Sequence, residues 1–468
     1  MVGVTSYGVY IPLFRLGKET GGWLLPLERS IANFDEDSLT MAVAATTNCM
    51  GGMNRAEVDA LYFATTTPPY LEKQSATIAA IAADLRKDIF TIDITDTLRA
   101  GTSALKLAVD AIKSGSIKQA LVTATDCRLA EPRSVFEQNG GDGAAALLIG
   151  EDNVVASIEG SFSVSHEILD VWRIEGERTI RSWEDRFCTE RGYVEAIQEG
   201  VSGLLAKYKM SLKDFAKVVY PAPDVRQHRA IAKLIQLAPE QIQEPFWGAL
   251  GATGTAFPLM LLAAALDNSK SGDRILLLGQ GDGCDAIILQ VTNQIDKMKT
   301  RGSFKQYLAA KKILPGYETY LAWRGFHNPD TGVRQPPLAS PSAPALLREQ
   351  DRNLRFYGVK CHSCGAVQYP PQRVCAKCGQ RDNFDKVRLS DKKATLFTYS
   401  MDYIAGIADP PEVVAVINFE SGGRALVAMT DRDIKDVKVG MPLEMSFRSL
   451  YTAAGIHNYY WKCIPTRV

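Results

Sequence analysis

Residues 1–295 alternate between helical and strand-like patterns of apolar positions. At 102–114, apolar residues recur at helical spacing, and Gly115 stands where the helix is expected to end. The apolar segments 120–126 and 142–150 follow and predict two neighbouring strands. Because alternating helices and strands build sheets covered by helices, this part of the chain predicts a layered α/β fold.

The same order of elements returns later in the chain. Residues 259–291 again run from an apolar helix through a Ser-Gly turn into two apolar strands, separated by a Gly-Asp-Gly segment. Such a duplication predicts two pseudo-symmetric halves, 1–155 and 156–330, whose sheets pack against shared central helices. Within the second half, residues 296–330 predict a terminal helix.

The remainder of the chain has a different pattern. Four prolines interrupt residues 331–345, which we interpret as a linker because proline resists both helix and strand. A short helix and a cysteine-rich segment are expected over 346–385. Five strand-like runs follow within 386–468 and predict a small closed β-barrel behind a zinc ribbon.

Four of the nine cysteines form two Cys-x-x-Cys pairs: Cys361, Cys364, Cys375 and Cys378. Each pair spans a tight turn that lets two thiolates meet one ion, and four sulfurs complete a closed tetrahedral shell. The alternatives are free-thiol turns or a ribbon without metal. Because Gly365 and Gly379 follow the pairs where each turn needs space, we expect a structural Zn²⁺ site with His362 as a bystander.

The amino-acid composition indicates which classes of binding partner and which cellular compartment to expect. The 468 residues carry 53 basic and 53 acidic side chains, a net charge of zero that gives no sign of nucleic-acid binding. Apolar runs such as 257–266 are too short to cross a bilayer, and residues 1–14 lack the basic leader of a signal peptide. One cysteine cluster among scattered cysteines indicates a reducing compartment, so we expect a cytoplasmic protein.

Residues 279–283 lack the context of a dinucleotide motif, so neither nicotinamide nor flavin is expected.

Several separated segments resemble a known enzyme family. Residues 96–126, 171–196 and 271–286 are similar to the archaeal type of 3-hydroxy-3-methylglutaryl-CoA synthase, a branch of the thiolase superfamily. Residues 346–468 resemble the zinc-ribbon and OB-fold domain that accompanies thiolase-like enzymes as a partner subunit. The resemblance implies a five-layer αβαβα fold, a homodimer or higher homo-oligomer, and C–C bond chemistry on acyl-CoA thioesters. It also implies that coenzyme A is part of the substrate, and it is compatible with a thiolase as a partner protein.

The family's catalytic residues are replaced at the matching positions. Its nucleophilic cysteine stands at a helix N-terminus, where the dipole and backbone N–H groups favour the thiolate, but this sequence has Leu98 there. The family's glutamate, histidine and asparagine fall on Thr66, Pro221 and Ala252. Since leucine cannot form a thioester, no acyl-enzyme is expected at this position. Aldol or retro-aldol chemistry on a β-hydroxyacyl-CoA remains, because it needs an enolate and an acid or base but no covalent intermediate.

Five residues are candidates for moving the proton. Asp96 precedes Leu98, with a helix cap as the alternative role. Asp224 and His228 follow the replaced histidine, with solvated helix-start positions as the alternative. Tyr193 is a possible donor to an alkoxide, or else a packed tyrosine with a satisfied hydroxyl. Cys127 ends a strand, where a small buried apolar role is the alternative.

Three functions therefore stay open. The first is a CoA-dependent aldolase or other C–C lyase. The second is a synthase-like acyltransferase that condenses acyl-CoA through another nucleophile, such as Cys127, or by direct transfer. The third is a non-catalytic acyl-CoA-binding scaffold that positions a partner thiolase. The glycine-rich segments and residues 99–102 persist, which favours retained ligand binding.

Overall fold

The structure is a computed structural model that describes residues 1–298, 304–327 and 338–467. The first half of the α/β region follows the alternation expected from the sequence. Its elements are β1 (Gly3–Tyr10), β2 (Phe14–Leu16), β3 (Arg29–Ile31), α1 (Ser38–Cys49), β4 (Ala60–Ala64), α2 (Ser75–Ala82), β5 (Phe90–Ile94), α3 (Ala100–Lys113), β6 (Ala120–Asp126), α4 (Val135–Asn139) and β7 (Gly143–Gly150).

The second half repeats the core of this arrangement. Its elements are β8 (Ala156–Ser165), β9 (Val171–Trp172), β10 (Arg181–Ser182), α5 (Asp185–Cys188), α6 (Glu195–Tyr208), β11 (Lys217–Val219), α7 (Val225–Leu234), α8 (Phe257–Leu266), β12 (Arg274–Gln280) and β13 (Gly283–Val291). The hairpin of β12 and β13 matches the antiparallel pair of β6 and β7 in the first half. The duplication seen in the sequence is therefore present in the fold.

The strands of the two halves form two β layers, which are joined into one continuous nine-stranded sheet in the order β11-β12-β13-β8-β1-β7-β6-β4-β5. The two halves meet where β1 pairs with β8, through Gly3 with Ser157 and Val4 with Ala156. A Cβ on Gly3 would lie 2.2 Å from the carbonyl oxygen of Ala156, so this junction of the halves requires a glycine.

Helices complete the five layers. Helices α1 and α2 cover the outer face of the first half, and α6 covers the outer face of the second. Helices α3 and α8 lie between the two halves. Every residue of α8 is buried, as expected for a central helix packed on several sides. The five-layer αβαβα arrangement expected from the sequence is confirmed. Within the described ranges, no helix is both long and apolar enough to cross a membrane.

The segment after β13 differs from the single terminal helix expected over 296–330. Its described part contains α9 (Phe304–Ala309), β14 (Lys312–Ile313) and α10 (Tyr317–Trp323). Helix α9 already ends at Ala309, β14 pairs with β2, and Gly316 is the cap residue at which α10 begins. Residues 299–303 and 328–337, which include half of the expected linker, lie outside the described residues.

The C-terminal part contains two short helices, a three-stranded ribbon and a barrel. They are α11 (Ala343–Arg348), α12 (Gln350–Asn353), β15 (Tyr357–Cys361), β16 (Val367–Gln368), β17 (Phe384–Arg388), β18 (Ala394–Asp402), β19 (Glu412–Phe419), β20 (Arg424–Met429), β21 (Pro442–Ala453) and β22 (Ile456–Pro465). Strands β18 to β22 close into a barrel, which confirms the architecture expected from the five strand-like runs. Helix α11 begins inside the segment interpreted as a linker.

A buried ionic cluster joins the barrel to the α/β region. We call it the joint cluster, and its members are Asp35, Glu36, Asp431, Arg448, Lys462 and Arg467. The guanidinium of Arg448 lies 2.6 Å from the Asp431 carboxylate, and the ammonium of Lys462 lies 2.8 Å from that of Asp35. Three acidic and three basic side chains thus pair with one another, as buried charges require, and burial raises the pKa of Glu36.

Candidate functional site

The site lies at the N-terminus of α3. Leu98 comes directly before Arg99, the residue at the cap position of this helix. The backbone N–H of Leu98 has no acceptor within the described part of the chain. A helix start with free N–H groups is a place where an oxygen carrying negative charge is stabilised.

Two cavities adjoin at Leu98. The first has a volume of about 230 Å³, and its walls include Tyr193, Pro221, Asp224, Ala252 and Phe257. The second has a volume of about 1160 Å³, and its walls include Thr66, Lys73, Asp96, Arg173 and Asp282. Five residues line both cavities: Leu98, Arg128, Asp170, Val171 and Ile180. Leu98, the residue expected to match the family's nucleophile, is therefore at the junction of the two cavities.

The structure brings to these cavities all four positions that the sequence is expected to match to the family's catalytic residues. Thr66 lines the second, Pro221 and Ala252 line the first, and Leu98 lines both. These positions come from four separate segments of the chain.

Three of the five candidate proton carriers also line the cavities. Tyr193 lies in a π-helical turn, Thr189–Val194, and its hydroxyl donates to the carbonyl of Pro221 at 2.9 Å. Burial raises the pKa of Tyr193 well above its usual value. Asp224 caps α7 by accepting from the backbone N–H of Gln227 at 2.7 Å. Both side chains thus have a structural partner.

Asp96, the third of these candidates, is exposed and has a φ of +76°. Its alternative role as the cap of α3 is not found, since Arg99 takes the cap position. Asp96 is thus an exposed residue in the lining of the second cavity.

Cys127 and His228 are not among the residues that line either cavity. The Sγ of Cys127 lies 3.3 Å from the guanidinium of Arg324, and burial raises the pKa of this thiol. A raised pKa disfavours the nucleophilic thiolate. The His228 ring stacks on Tyr220 with ring centroids 4.3 Å apart, and burial lowers its pKa to about 4. Catalytic roles for these two residues stay predictions.

Asp126 holds the wall that contains Thr66. Its Oδ1 accepts from the backbone N–H of Thr66 at 2.7 Å and from the hydroxyl of Thr67 at 3.0 Å. Its Oδ2 accepts from the backbone N–H of Thr255 at 2.8 Å. This buried carboxylate therefore ties the loop after β4 to the loop before α8, and both loops border the cavities.

Gly281, in the turn between β12 and β13, leaves the helix tip accessible. It has a φ of +154°, and a Cβ there would lie 2.9 Å from the backbone nitrogen of Leu98 and 3.0 Å from that of Arg99. Only a residue without a side chain leaves space for a ligand atom beside these N–H groups. The geometry is that of a small oxyanion site.

Arg128 and Asp170 are the site residues that sequence reasoning missed. Burial raises the pKa of Asp170, the nearby Asp282 raises it further, and Arg128 opposes both effects. The Arg128 guanidinium makes no hydrogen bond or ion pair with any residue that the structure describes. Asp170 directly precedes the segment 171–196 that carries the family resemblance, so its position was the available signal.

The four clustered cysteines form a metal site of the expected geometry. Their Sγ atoms all lie within 4.8 Å of one another, with Cys361 and Cys378 at 3.7 Å and Cys364 and Cys375 at 3.6 Å. Tetrahedral zinc with Zn–S bonds of about 2.3 Å separates its sulfurs by about 3.8 Å. These cysteines would therefore hold Zn²⁺ in a closed shell that stabilises the ribbon.

Comparison with known proteins identifies the family. The chain is 30% identical over 347 residues to the hydroxymethylglutaryl-CoA synthase of Methanocaldococcus jannaschii, and the match covers 69% of this chain and 99% of that protein. It is 32% identical over 338 residues to the synthase of Thermococcus sibiricus, with 69% and 96% covered. The chain belongs to the hydroxymethylglutaryl-CoA synthase family.

The C-terminal part matches two further domain families. Residues 348–385 match the rubredoxin-like zinc ribbon domain of ChsH2, and residues 386–448 match the C-terminal OB-fold domain of ChsH2. The zinc ribbon and OB-fold expected from the sequence are thereby confirmed.

Solved structures share the fold of the α/β region. An HMG-CoA synthase complexed with CoA superposes with a TM-score of 0.62 at 18% identity, over 73% of this chain and 95% of that one. MvaS in complex with 3-hydroxy-3-methylglutaryl coenzyme A gives a TM-score of 0.61 at 20% identity, over 74% and 97%.

Proposed function

We propose that this protein forms or breaks a C–C bond in a β-hydroxyacyl-CoA thioester by aldol or retro-aldol chemistry, without a covalent acyl-enzyme. The observation that carries the proposal is Leu98 at the junction of the cavities. A hydrocarbon side chain cannot accept an acyl group, whereas the free N–H beside Gly281 can still bind a thioester oxygen.

The cleavage needs no co-reactant. A base takes the proton of the β-hydroxyl, the Cα–Cβ bond breaks, and a ketone or aldehyde leaves. The electron pair of that bond stays on the thioester as an enolate until Cα is protonated. The Leu98 N–H stabilises the enolate oxygen, and loss of one such donor typically slows a reaction by about 10²–10³-fold.

The two cavities suit the two parts of the substrate. The second cavity, about 1160 Å³, has the space that coenzyme A requires. Lys73 and Arg173 in its walls are the cations available to the phosphates, in a lining that also carries seven carboxyl groups. The first cavity is smaller and has apolar walls that include Phe136, Phe257 and Pro258, which suit an acyl branch. A relative of the same fold is solved in complex with CoA, which supports this assignment.

Synthase-like acyl transfer is the second candidate, favoured by the 30% identity to hydroxymethylglutaryl-CoA synthases. It requires a nucleophile other than Leu98. Cys127 is the thiol nearest in sequence to Leu98, but burial raises its pKa. Its Sγ also accepts a hydrogen bond from the Arg324 guanidinium. A silent acyl-CoA-binding scaffold is the third candidate.

A homodimer belongs to the same proposal. Strand β5 is the last strand of the nine-stranded sheet, and Phe90 on it is 54% exposed. A free strand edge with an exposed aromatic side chain suits pairing with a second copy.

The test incubates the full chain with acetyl-CoA and with a branched β-hydroxyacyl-CoA, and follows intact mass and small-molecule products. We expect a ketone or aldehyde and a shorter acyl-CoA, with no mass change of the protein. The Leu98→Cys variant should gain an acetyl adduct, because a cysteine at a helix N-terminus has a lowered pKa. Leu98→Ala is the matched control and should gain none. An adduct on the unaltered protein, or binding without cleavage, would contradict the proposal.

A further inference from the structure

Two charged side chains occupy the junction of the cavities. Of the five residues that line both cavities, Arg128 and Asp170 alone carry charge, and Leu98 lies beside them in the same wall. The three come from the start of α3, the loop after β6 and the loop after β8. Folding therefore places a carboxylate and a guanidinium at the junction where the family's nucleophile is missing.

One oxygen of Asp170 is available to a ligand. Its Oδ1 accepts from the backbone N–H of Val171 at 2.6 Å. Its Oδ2 makes no hydrogen bond with the described residues. The neighbouring residue Gly192 has no side chain, whereas a Cβ at that position would lie 3.9 Å from this oxygen. A carboxylate held at one oxygen and free at the other is oriented to exchange a proton with a bound molecule.

Arg128 complements this acid. The guanidinium is half-buried, lines both cavities and makes no hydrogen bond or ion pair with the described residues. Burial lowers the pKa of Arg128, and the nearby carboxylates of Asp126 and Asp170 oppose this effect. An arginine stays protonated, so the site offers a fixed positive charge to an anionic oxygen. The Leu98 N–H, which has no acceptor among the described residues, lies at the same junction of the cavities.

We propose that Asp170 takes the proton from the β-hydroxyl and returns it to Cα, while Arg128 stabilises the enolate oxygen. The inference rests on the proposed retro-aldol function. The proton leaves the hydroxyl as its oxygen becomes the carbonyl of the leaving ketone or aldehyde. The electron pair of the Cα–Cβ bond moves onto the thioester, and the same proton then neutralises Cα. Atoms and charge balance with one carboxylate.

The electrostatic surroundings of Asp170 agree with this role. The titratable groups that face it are Arg128, Asp282 and Cys188. Burial and Asp282 raise the pKa of Asp170, and Arg128 opposes them. A carboxylate with a raised pKa is a stronger base than an exposed aspartate.

The test compares Asp170→Asn with the full unaltered chain. We expect turnover of the branched β-hydroxyacyl-CoA to fall by about 10²–10⁴-fold, the usual contribution of a general base, while KM changes less than about threefold. Asp170→Glu should keep partial activity with a displaced rising limb of its pH profile. Glu167→Gln is the matched control, because Glu167 is exposed and belongs to the same segment, and it should leave turnover unchanged.

A second measurement follows exchange of the Cα hydrogen. The unaltered protein should exchange this hydrogen of the product acyl-CoA with D₂O, and Asp170→Asn should lose the exchange while still binding CoA. Arg128→Gln should slow both cleavage and exchange, and Arg128→Lys should restore part of each.

The outcomes separate the two proposals. Cleavage by the unaltered protein and equally by Asp170→Asn would overturn the role of Asp170 and leave the proposed function standing. Loss of CoA binding together with turnover would also overturn it, since that pattern indicates a structural role. No cleavage by the unaltered protein would overturn the proposed function itself.

Discussion

Replacing Arg448 with methionine should strongly destabilise the contact between the barrel and the α/β region. The Arg448 side chain is fully buried, and its guanidinium lies 3.1, 2.7 and 2.6 Å from the carboxylates of Asp35, Glu36 and Asp431. Methionine fills similar space without charge. Three buried carboxylates then face only the two remaining cations of the joint cluster.

The expected cost follows from this imbalance. Removing one partner of a buried ion pair typically costs about 3–5 kcal/mol, because the other charge stays buried and uncompensated. Water does not screen these charges at Arg448, since its side chain has 0% exposure. We therefore expect the free energy of unfolding to fall by about 3–5 kcal/mol in Arg448→Met.

Urea unfolding followed by tryptophan fluorescence measures the effect, and the buried Trp461 reports on the barrel. Arg186→Met is the matched control, because Arg186 pairs with Glu190 at 3.0 Å but is 91% exposed. An exposed pair contributes about 0–1 kcal/mol, so the control should change little. A loss below about 1 kcal/mol in Arg448→Met, with an unchanged slope against urea, would refute the reasoning from burial and charge.

Three further predictions follow from the site, the ribbon and the joint cluster. Cys375→Ser should abolish bound zinc and the ribbon structure, while Cys127→Ser should keep the full zinc content, both read by metal analysis. Gly281→Ala should lower turnover by about 10²–10³-fold, because its Cβ would crowd the Leu98 N–H at 2.9 Å, and unchanged turnover would contradict the oxyanion site. In Asp35→Asn, the free energy of unfolding should depend less on pH in the acid range, which urea unfolding at several pH values measures. Burial alone raises the pKa of Asp35, but the cations of the joint cluster lower it overall, so its stabilisation is present above about pH 4 and lost as pH falls through the folded pKa.

The sequence determined those features that depend on neighbours along the chain. Helix and strand periodicity predicted α3, β6 and β7, and the two Cys-x-x-Cys pairs predicted the zinc ribbon. The presence of leucine at position 98 was also visible without coordinates. The single terminal helix was the exception, because α9 ends at Ala309 and the segment that follows it pairs with β2.

The tertiary structure decided which distant residues share a cavity. Leu98, Arg128 and Asp170 lie on three segments, and no periodicity indicates that they line one junction. The joint cluster likewise unites Asp35 with Arg448, more than 400 positions later in the chain. Periodicity and turn preferences act over a few residues, whereas such contacts arise only when whole layers pack against each other. For this reason the missing thiol was visible in the sequence, whereas the carboxylate and the guanidinium at the same junction were found only in the fold.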